Sequence, residues 1–475
     1  MLVLLLLFAV KQAFSVIVFP PFSGHDEVAH YAYLRTVTNE HRVPVIPDLE
    51  EWRRAWVSRG TLPGDVLPED LYRYCRYVLD WNYCEEEQWK DNPPVAVTFG
   101  GQFYPHGWNY ASNHPPLFYL LMSPLYRVTD SLTPAQQQYV IRAATIPIGM
   151  LVVLLTFLIA RLLFTRDPYI QIVAASFVAF QTQLSYESAM VNNDILLVAM
   201  FTLALYLLVR GIRQGFTLGS AAVLGLVVGL GLLTKASMIT ILPIIAIAMI
   251  CSIGWRNIRR WITLGAVTGI TTGLIVWPWY LYLHRTYGNF SALPQVKALQ
   301  FLWTYRTDTP PTILDQFWDL DFARLRWAET WGEFGWRLIH LPNWILATVG
   351  IPLLVLTLVS LAGLIWATIT ILNGGTLPTF LRVTKLQCGG LWLMLLICIM
   401  AYGAMLQFGT TFRLTQARYF FNAIPAAAIL IAFGLRTLTP ARARPGVAAG
   451  FLVFMIAINV LIYSQGVLAF WYLPT

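Results

Sequence analysis

Apolar runs of about 20 residues recur along the chain, and they constrain its fold more than any other feature. A helix that crosses a membrane needs about 20 mostly apolar residues. The 475-residue chain is 57% hydrophobic and only 12% charged, whereas soluble domains are roughly a quarter charged. We therefore predict an all-α polytopic membrane protein with about eleven transmembrane helices. The predicted spans are residues 1–19, 139–164, 169–186, 195–209, 218–233, 238–253, 262–283, 344–372, 389–408, 419–435 and 447–471.

Two long polar stretches, residues 20–137 and 284–343, interrupt this pattern within what we take as a single transmembrane domain, residues 1–475. The first stretch is too long for a simple loop and should hold short helices of its own. Residues 1–19 are better read as a span than as a signal peptide, because no basic region precedes them and no small-residue cleavage site follows. Lys11 falls inside this run, so it either snorkels to the interface or the native start lies upstream.

Arginine and lysine in the short links predict the orientation. Cytoplasmic loops of membrane proteins carry an excess of these residues. With eleven spans, the basic links fall on one side, and the two long polar stretches face outward. The net charge of +8 then reflects this bias rather than nucleic-acid binding, since the chain has no soluble basic domain. The basic links contain Arg161, Arg166, Arg210, Arg213, Arg256, Arg259, Arg260, Arg382, Lys385, Arg436, Arg442 and Arg444.

Two of the five cysteines, Cys75 and Cys84, share the first polar stretch. They could form a disulfide on an oxidising side of the membrane or remain free thiols, and their spacing does not decide between the two.

The adjacent acids Asp26 and Glu27 follow the first apolar run by about seven residues. A charge held close to hydrocarbon is costly and usually has a partner or a function. On a helix Asp26 and His30 would share a face, with Glu27 directed elsewhere. A carboxylate beside an imidazole can act as a general base or contribute to a divalent metal site. The alternative is an ordinary helix N-terminus, where the dipole favours acids.

Three basic side chains on the outer side predict an anion site. Lys235 and Arg418 lie at outer ends of predicted spans, against the positive-inside trend. His114 precedes two prolines and a short apolar piece that is unable to span a membrane. A phosphate would explain all three positions. Snorkelling to the interface is the alternative for Lys235 and Arg418, and a loop histidine without a role is the alternative for His114.

Two further features lie on the same outer side. Asp194 begins a predicted span, where an acid is either a helix cap or a second site carboxylate. Tyr419 follows Arg418 directly. The aromatic residues around Trp331 in the second polar stretch are typical of membrane-interface anchors and could also stack on a sugar ring.

Taken in this order, the residues resemble the GT-C superfamily of membrane glycosyltransferases. Relatives include the protein O-mannosyltransferases and the aminoarabinose transferases of lipid A. These enzymes share an acid, often Asp-Glu, in the first outer loop, and Asp26-Glu27 matches that placement. Asp194 resembles the acid found between their third and fourth spans, and Arg418-Tyr419 resembles their late Arg-Tyr motif.

Two other motifs refine the resemblance. His114-Pro115-Pro116-Leu117 stands where a basic residue followed by Pro-Pro-Leu recurs in the aminoarabinose-transferase branch, with His in place of a common Lys. Asp26-Glu27-x-x-His30 and Trp331-Gly332-x-Phe334-Gly335-Trp336 are most similar to a bacterial branch known only as membrane proteins.

The resemblance implies an inverting glycosyltransferase in a bacterial-type cytoplasmic membrane, with its active site facing outward. The donor would be a polyprenyl-phosphate sugar, and the acceptor a sugar, lipid or protein. Asp26 would be the general base, oriented by Glu27 and His30, and His114, Lys235 and Arg418 would bind the phosphate. No cofactor is certain, although Asp26 and Glu27 could hold a divalent metal ion.

A transporter or flippase for lipid-linked glycans is the rival class, and an assembly factor for such glycans is a third possibility. A transporter would also need cations near the outer leaflet. It would not need adjacent acids at one outer span end, and transporters usually show repeated halves, which this sequence lacks.

Overall fold

The protein was analysed as a computed structural model that describes residues 1–58, 64–65, 70–71, 98–99, 102–103, 109–299, 310–335, 339–412 and 415–473. The predicted pairing of Cys75 with Cys84 and the position of Trp336 lie outside these residues.

The described chain is almost entirely helical, as the apolar runs predict. A two-stranded antiparallel hairpin, β1 (Thr98–Phe99) and β2 (Gln102–Phe103), is a small exception within the first polar stretch. The α-helices are α1 (Leu2–Val18), α2 (Glu27–Glu40), α3 (Leu49–Ser58), α4 (Leu117–Val128), α5 (Pro134–Ala144), α6 (Ile146–Leu163), α7 (Pro168–Ala179), α8 (Thr182–Ser188), α9 (Asp194–Gln214), α10 (Leu218–Leu232), α11 (Ile241–Ile253), α12 (Ile258–Tyr287), α13 (Leu293–Leu299), α14 (Ile313–Trp318), α15 (Leu320–Trp331), α16 (Asn343–Leu372), α17 (Lys385–Gly409), α18 (Ile424–Leu438), α19 (Arg444–Ile462) and α20 (Ala469–Tyr472).

Short 3₁₀ and π-helical segments extend or connect these helices. The 3₁₀ segments are Tyr110–Asn113, Ala236–Thr240, Thr379–Leu381, Ala417–Ala423 and Ala441–Ala443, and a π-helical turn covers Tyr463–Leu468. Three of them, Ala236–Thr240, Ala417–Ala423 and Ala441–Ala443, precede α11, α18 and α19 without a break.

Within the described chain, eight helical stretches are long and apolar enough to cross a membrane. They coincide with eight of the eleven predicted spans. The other three predictions fall on shorter apolar helices, because α1 has 17 residues, α7 has 12 and α10 has 15. At 1.5 Å per residue these helices are about 18 to 26 Å long, less than the hydrocarbon thickness of roughly 30 Å.

Helix α7 lies at the centre of the bundle, where it packs against α1, α6, α18 and α19. Small residues allow this close packing: Ala174 and Ala175 are fully buried. A helix that is apolar on every side must be surrounded by other helices or by lipid. Protein surrounds α7 here.

The predicted span 169–186 is divided into α7 and α8 at Phe180 and Gln181. Lys11 of α1 lies at this break, where its ammonium group donates to the Ala179 carbonyl and to the Ser185 hydroxyl. Polar backbone groups freed by a helix break in a membrane protein need such partners. Lys11 therefore connects α1 to the break between α7 and α8, and its ammonium group does not snorkel to the membrane interface.

The basic links contact one another at the ends of the helices opposite Asp26 and Asp194. Arg213 donates to the Leu162 carbonyl, and Arg436 pairs with Asp167 at 2.5 Å. Helix α9 runs from Asp194 at one end to Arg213 at the other. This segregation is the pattern that the positive-inside rule associates with a cytoplasmic face.

Candidate active site

A cavity of about 500 Å³ lies at the end of the bundle that carries Asp26 and Lys235. Residues far apart in sequence meet on its wall. The predicted site residues that line it are Asp26, His30, His114, Lys235, Arg418 and Tyr419.

The backbone at Asp26 separates this acid from its neighbour. Asp26 precedes α2 in a left-handed conformation, φ 59°, which Asp adopts more readily than most residues. Its carboxylate reaches the cavity, whereas the Glu27 side chain turns into the protein interior. The two adjacent acids therefore occupy different environments.

Glu27 forms a fully buried ion pair with Arg142 of α5. Its Oε1 accepts from Arg142 Nε at 2.9 Å and from the Val191 amide at 2.8 Å, and its Oε2 accepts from the Gly24 amide at 2.8 Å. Arg142 also donates to the Phe19 carbonyl at 2.7 Å. This network ties the turn before Asp26 to the link before α9, so Glu27 positions its neighbour rather than facing the cavity.

Gly24 is required by this packing. A Cβ atom at position 24 would lie 2.7 Å from the Glu27 carboxylate and 2.4 Å from Met190 Sδ. Real Cβ atoms do not approach other atoms so closely, because the repulsion at that distance is severe. A side chain there would push Glu27 out of its network.

Two cations and two acids alternate along the polar wall of the cavity. Arg418 bonds Asp26 Oδ2 through one terminal nitrogen at 2.5 Å and Asp194 Oδ2 through the other at 3.4 Å. Lys235 bonds the remaining oxygen of Asp194. The four side chains are each 9–13% exposed. Charges this deeply buried are tolerated because they are paired.

Local structure explains why these four side chains converge. Asp194 is the first residue of α9, Lys235 lies between α10 and a 3₁₀ segment, and Arg418 lies in the 3₁₀ segment before α18. Each sits where a helix begins or is interrupted. Helix interruptions that line a polar cavity are a common way to build ion and phosphate sites in membrane proteins.

His30 and His114 are stacked at 5.4 Å between ring centroids, and His30 Nδ1 bonds the Tyr119 hydroxyl at 2.7 Å. Burial lowers the pKa of His30 to about 4, with Asp26 opposing and Lys235 reinforcing the shift. Burial and the nearby Lys235 also lower the pKa of His114 well below its usual range. Both imidazoles are neutral at pH 7, so His114 could contact a phosphate only as a hydrogen-bond donor.

Asp26 is ionised at neutral pH. Burial alone would raise the pKa of Asp26, but the Arg418 guanidinium outweighs burial and holds this pKa below the usual value of a carboxyl group. The site therefore offers an anionic oxygen that can accept a proton, although Arg418 currently occupies it.

Asp26 and Glu27 do not fit a shared metal ion. Their carboxylates point to opposite sides of the turn and are paired with different arginines, Arg418 and Arg142. Among the residues that the structure describes, no group of three His, Cys, Asp or Glu side chains could hold a metal ion. The metal interpretation of this acid pair is not compatible with its geometry.

Most of the rest of the cavity wall is apolar or aromatic. Helix α12 contributes Trp279 and Leu283, and α17 contributes Ala401 and Phe408. A cavity with charged groups on one wall and hydrocarbon on the others suits an amphiphile, with its charged group near Arg418 and Lys235 and its chain along the helices.

Comparisons with known proteins bear on this site. A family model described as dolichyl-phosphate-mannose-protein mannosyltransferase matches residues 113–282, about a third of the chain. That segment contains His114, Asp194 and Lys235. None of the curated proteins compared with the chain matches it.

Solved structures match nearly the whole chain. An oligosaccharyltransferase from Archaeoglobus fulgidus, in complex with Zn and sulfate, is 15% identical, with a TM-score of 0.50 over 97% of this chain and 52% of that one. This chain thus spans about half the length of that protein, and the likeness is one of fold. ArnT from Cupriavidus metallidurans, bound to undecaprenyl phosphate or apo, is 14% or 13% identical, with a TM-score of 0.38 over 92% of this chain and 77% of ArnT.

The chain is similar to the GT-C membrane glycosyltransferases, in sequence over residues 113–282 and in fold over nearly its whole length. The family model and the archaeal fold confirm the resemblance that the motifs indicate, while the roles of individual residues stay proposals.

Sequence reasoning placed eight residues in a common site, and six of them line one cavity. Asp194 joins them through Lys235 and Arg418. Glu27 is adjacent but faces away. Trp331 is 1% exposed and packs against Phe177 in the core, so it neither anchors the chain at the interface nor reaches the cavity.

Two contributors were missed. Arg142 lies inside a predicted span, and an arginine within an apolar run is a signal of a buried partner. Tyr119, the partner of His30, carries no such signal, because a tyrosine in an apolar helix is ordinary. Its role depends on the contact between α2 and α4.

Proposed function

We propose that this protein transfers a sugar from a polyprenyl-phosphate donor to an acceptor on the extracytoplasmic face. The observation that carries the proposal is that Asp26, Lys235 and Arg418 line one largely apolar cavity, with Asp194 paired to both cations behind them. The donor class is that of the matched family, whose description names dolichyl-phosphate mannose.

Asp26 takes the proton of the attacking acceptor hydroxyl in this proposal. It is the acid that faces the cavity, and it is ionised. The acceptor oxygen attacks the anomeric carbon opposite the phosphate, so the configuration inverts in one step. Base catalysis of this kind contributes roughly 10²–10⁴-fold.

Lys235 and Arg418 bind the phosphate and stabilise the charge that it gains as the bond to the sugar breaks. An arginine can bond two phosphate oxygens at once, whereas a lysine acts as a point charge. His114 donates a single neutral hydrogen bond. Trp279, Leu283 and Phe408 contact the polyprenyl chain.

A transfer assay tests this function. Purified protein in nanodiscs is incubated with radiolabelled undecaprenyl-phosphate and dolichyl-phosphate monosaccharides and with a membrane extract as the source of acceptor. We expect transfer from at least one donor and its loss in Lys235→Gln. Lys385→Gln, which removes an exposed lysine at the far end of the bundle, is the matched control and should remain active.

The same assay separates the rivals. A flippase would move the labelled lipid between leaflets without breaking the sugar–phosphate bond, and an assembly factor would do neither. Sugar–phosphate cleavage that is absent with every donor tested would exclude the proposed activity.

A further inference from the structure

Both cations of the cavity are already paired in the absence of a donor. Asp26 and Asp194 supply two negative charges, Lys235 and Arg418 supply two positive charges, and the two imidazoles are neutral. A lipid phosphate that binds here must therefore take a cation away from a carboxylate. Which carboxylate gives up its cation decides what binding does to the base.

Arg418 is the cation that joins the base to the phosphate site. One of its terminal nitrogens bonds Asp26 and the other bonds Asp194, which also holds Lys235. Lys235 contacts no oxygen of Asp26 among the described ion pairs. A change in the charge of Asp26 therefore acts on Arg418 directly and on Lys235 only through Asp194.

The proposed reaction moves negative charge between the same two groups, from Asp26 to the phosphate. The donor is a phosphodiester with one negative charge. As the acceptor oxygen bonds the anomeric carbon, its proton passes to Asp26, and the electrons of the broken carbon–oxygen bond leave with the phosphate. Asp26 loses one negative charge and the phosphate gains one, so the total charge of the site is unchanged.

We propose that Arg418 is shared between the base and the leaving group: it pairs with Asp26 in the empty site and is drawn to the phosphate when a lipid phosphate binds. The inference rests on the proposed function. Because Arg418 is shared, Asp26 is fully available as a base only after a lipid phosphate has entered, and the donor therefore binds before the acceptor. During transfer Arg418, already at the phosphate, stabilises the second negative charge that the phosphate gains.

The Asp26 carboxylate and the lipid phosphate compete for Arg418. Although Asp26 serves the reaction as its base, its carboxylate opposes the binding of lipid phosphate. Asp26→Asn keeps the size of the side chain and removes its charge. The variant should bind undecaprenyl phosphate roughly tenfold more tightly than the wild type, since pairs of close buried charges are worth at least that much.

The test is a binding measurement with undecaprenyl phosphate itself, on purified protein in nanodiscs made of zwitterionic lipid. Arg418→Gln should bind this lipid more weakly than the wild type. In Asp26→Asn/Arg418→Gln the gain from Asp26→Asn should disappear, because nothing is left to compete for. Asp26→Asn/Lys235→Gln is the matched control, and there the gain from Asp26→Asn should persist.

The outcomes separate the two proposals. If the wild type does not bind undecaprenyl phosphate, the donor class of the proposed function is wrong. If the wild type binds it and Asp26→Asn binds it equally or more weakly, Arg418 is not shared, although the protein can still be a glycosyltransferase. Should Arg418→Gln fail to fold, Asp26→Asn alone still decides, because Asn is an isostere and its fold can be checked by thermal unfolding.

Discussion

At the scale of single residues, the left-handed backbone at Asp26 places two adjacent acids in different surroundings. It sends Asp26 to the cavity and leaves Glu27 in a buried network with Arg142. Sequence reasoning could place both acids near the membrane surface, because charges there are rare. It could not assign them to different partners, since the torsion angle and the position of Arg142 follow from tertiary contacts.

Glu27→Gln should destabilise the protein more than it affects the chemistry. The change leaves the Arg142 guanidinium buried without its counter-charge, which typically costs about 3–5 kcal/mol. Thermal unfolding in detergent should show a clear fall in Tm for Glu27→Gln and for Arg142→Gln, and almost none for Asp26→Asn, because Arg418 keeps its pair with Asp194. Equal Tm values for Glu27→Gln and the wild type would show that the pair does not hold the turn.

His30 makes stability depend on pH. Its pKa lies near 4 in the folded protein and at 6.5 in the unfolded chain, so the unfolded chain takes up a proton first as the pH falls. Stability is therefore lost between about pH 6.5 and pH 4, by on the order of 2 kcal/mol between pH 7 and pH 5. The Tm difference between these two pH values should shrink in His30→Gln, and a difference that stays unchanged would show that His30 is not the responsible group.

At the scale of elements, the sequence predicted helices best where the apolar runs are longest. Runs such as 344–372 and 389–408 became single long helices, α16 and α17, even though α16 contains Pro352. Run 169–186 was predicted as one span and is two helices. Its break at Gln181 depends on contacts with Lys11 and with the second polar stretch, which a local pattern does not contain.

Lys11 tests the importance of that break. Lys11→Met keeps the length and apolar stem of the side chain but leaves the Ala179 carbonyl without its donor, and an unsatisfied buried polar group costs about 1–3 kcal/mol. We expect a lower Tm, together with weaker sugar transfer, because α8 carries the segment that leads to Asp194. Lys11→Arg should be milder, as it retains a donor. A Lys11→Met variant with wild-type Tm would contradict the role of Lys11 at the break.

At the scale of the whole molecule, the two ends of the bundle differ in charge pattern. One end holds the paired charges of the cavity, and the other holds the basic links. The sequence predicted this division because arginine and lysine are concentrated in the short links. The motifs placed these scattered residues in one site, but the sequence could not predict which of their charges pair, because that depends on how the helices pack.

Impermeant cysteine labelling on intact cells tests the orientation. In a background with all five native cysteines replaced, Ser58→Cys, an exposed position at the end of α3, should be labelled from outside. Arg259→Cys, in the first turn of α12, should be labelled only after the cells are opened. External labelling of Arg259→Cys would reverse the orientation and place the cavity in the cytoplasm.

The central claim is that Asp26 is the base of a sugar-transfer reaction, and the most direct test is the single-turnover transfer rate of Asp26→Asn with a saturating polyprenyl-phosphate sugar. Asn retains the size and most hydrogen bonding of Asp but cannot accept the proton. The account predicts a fall of roughly 10²–10⁴-fold in the rate, with the Tm preserved. A folded Asp26→Asn variant that transfers sugar at the wild-type rate would contradict it.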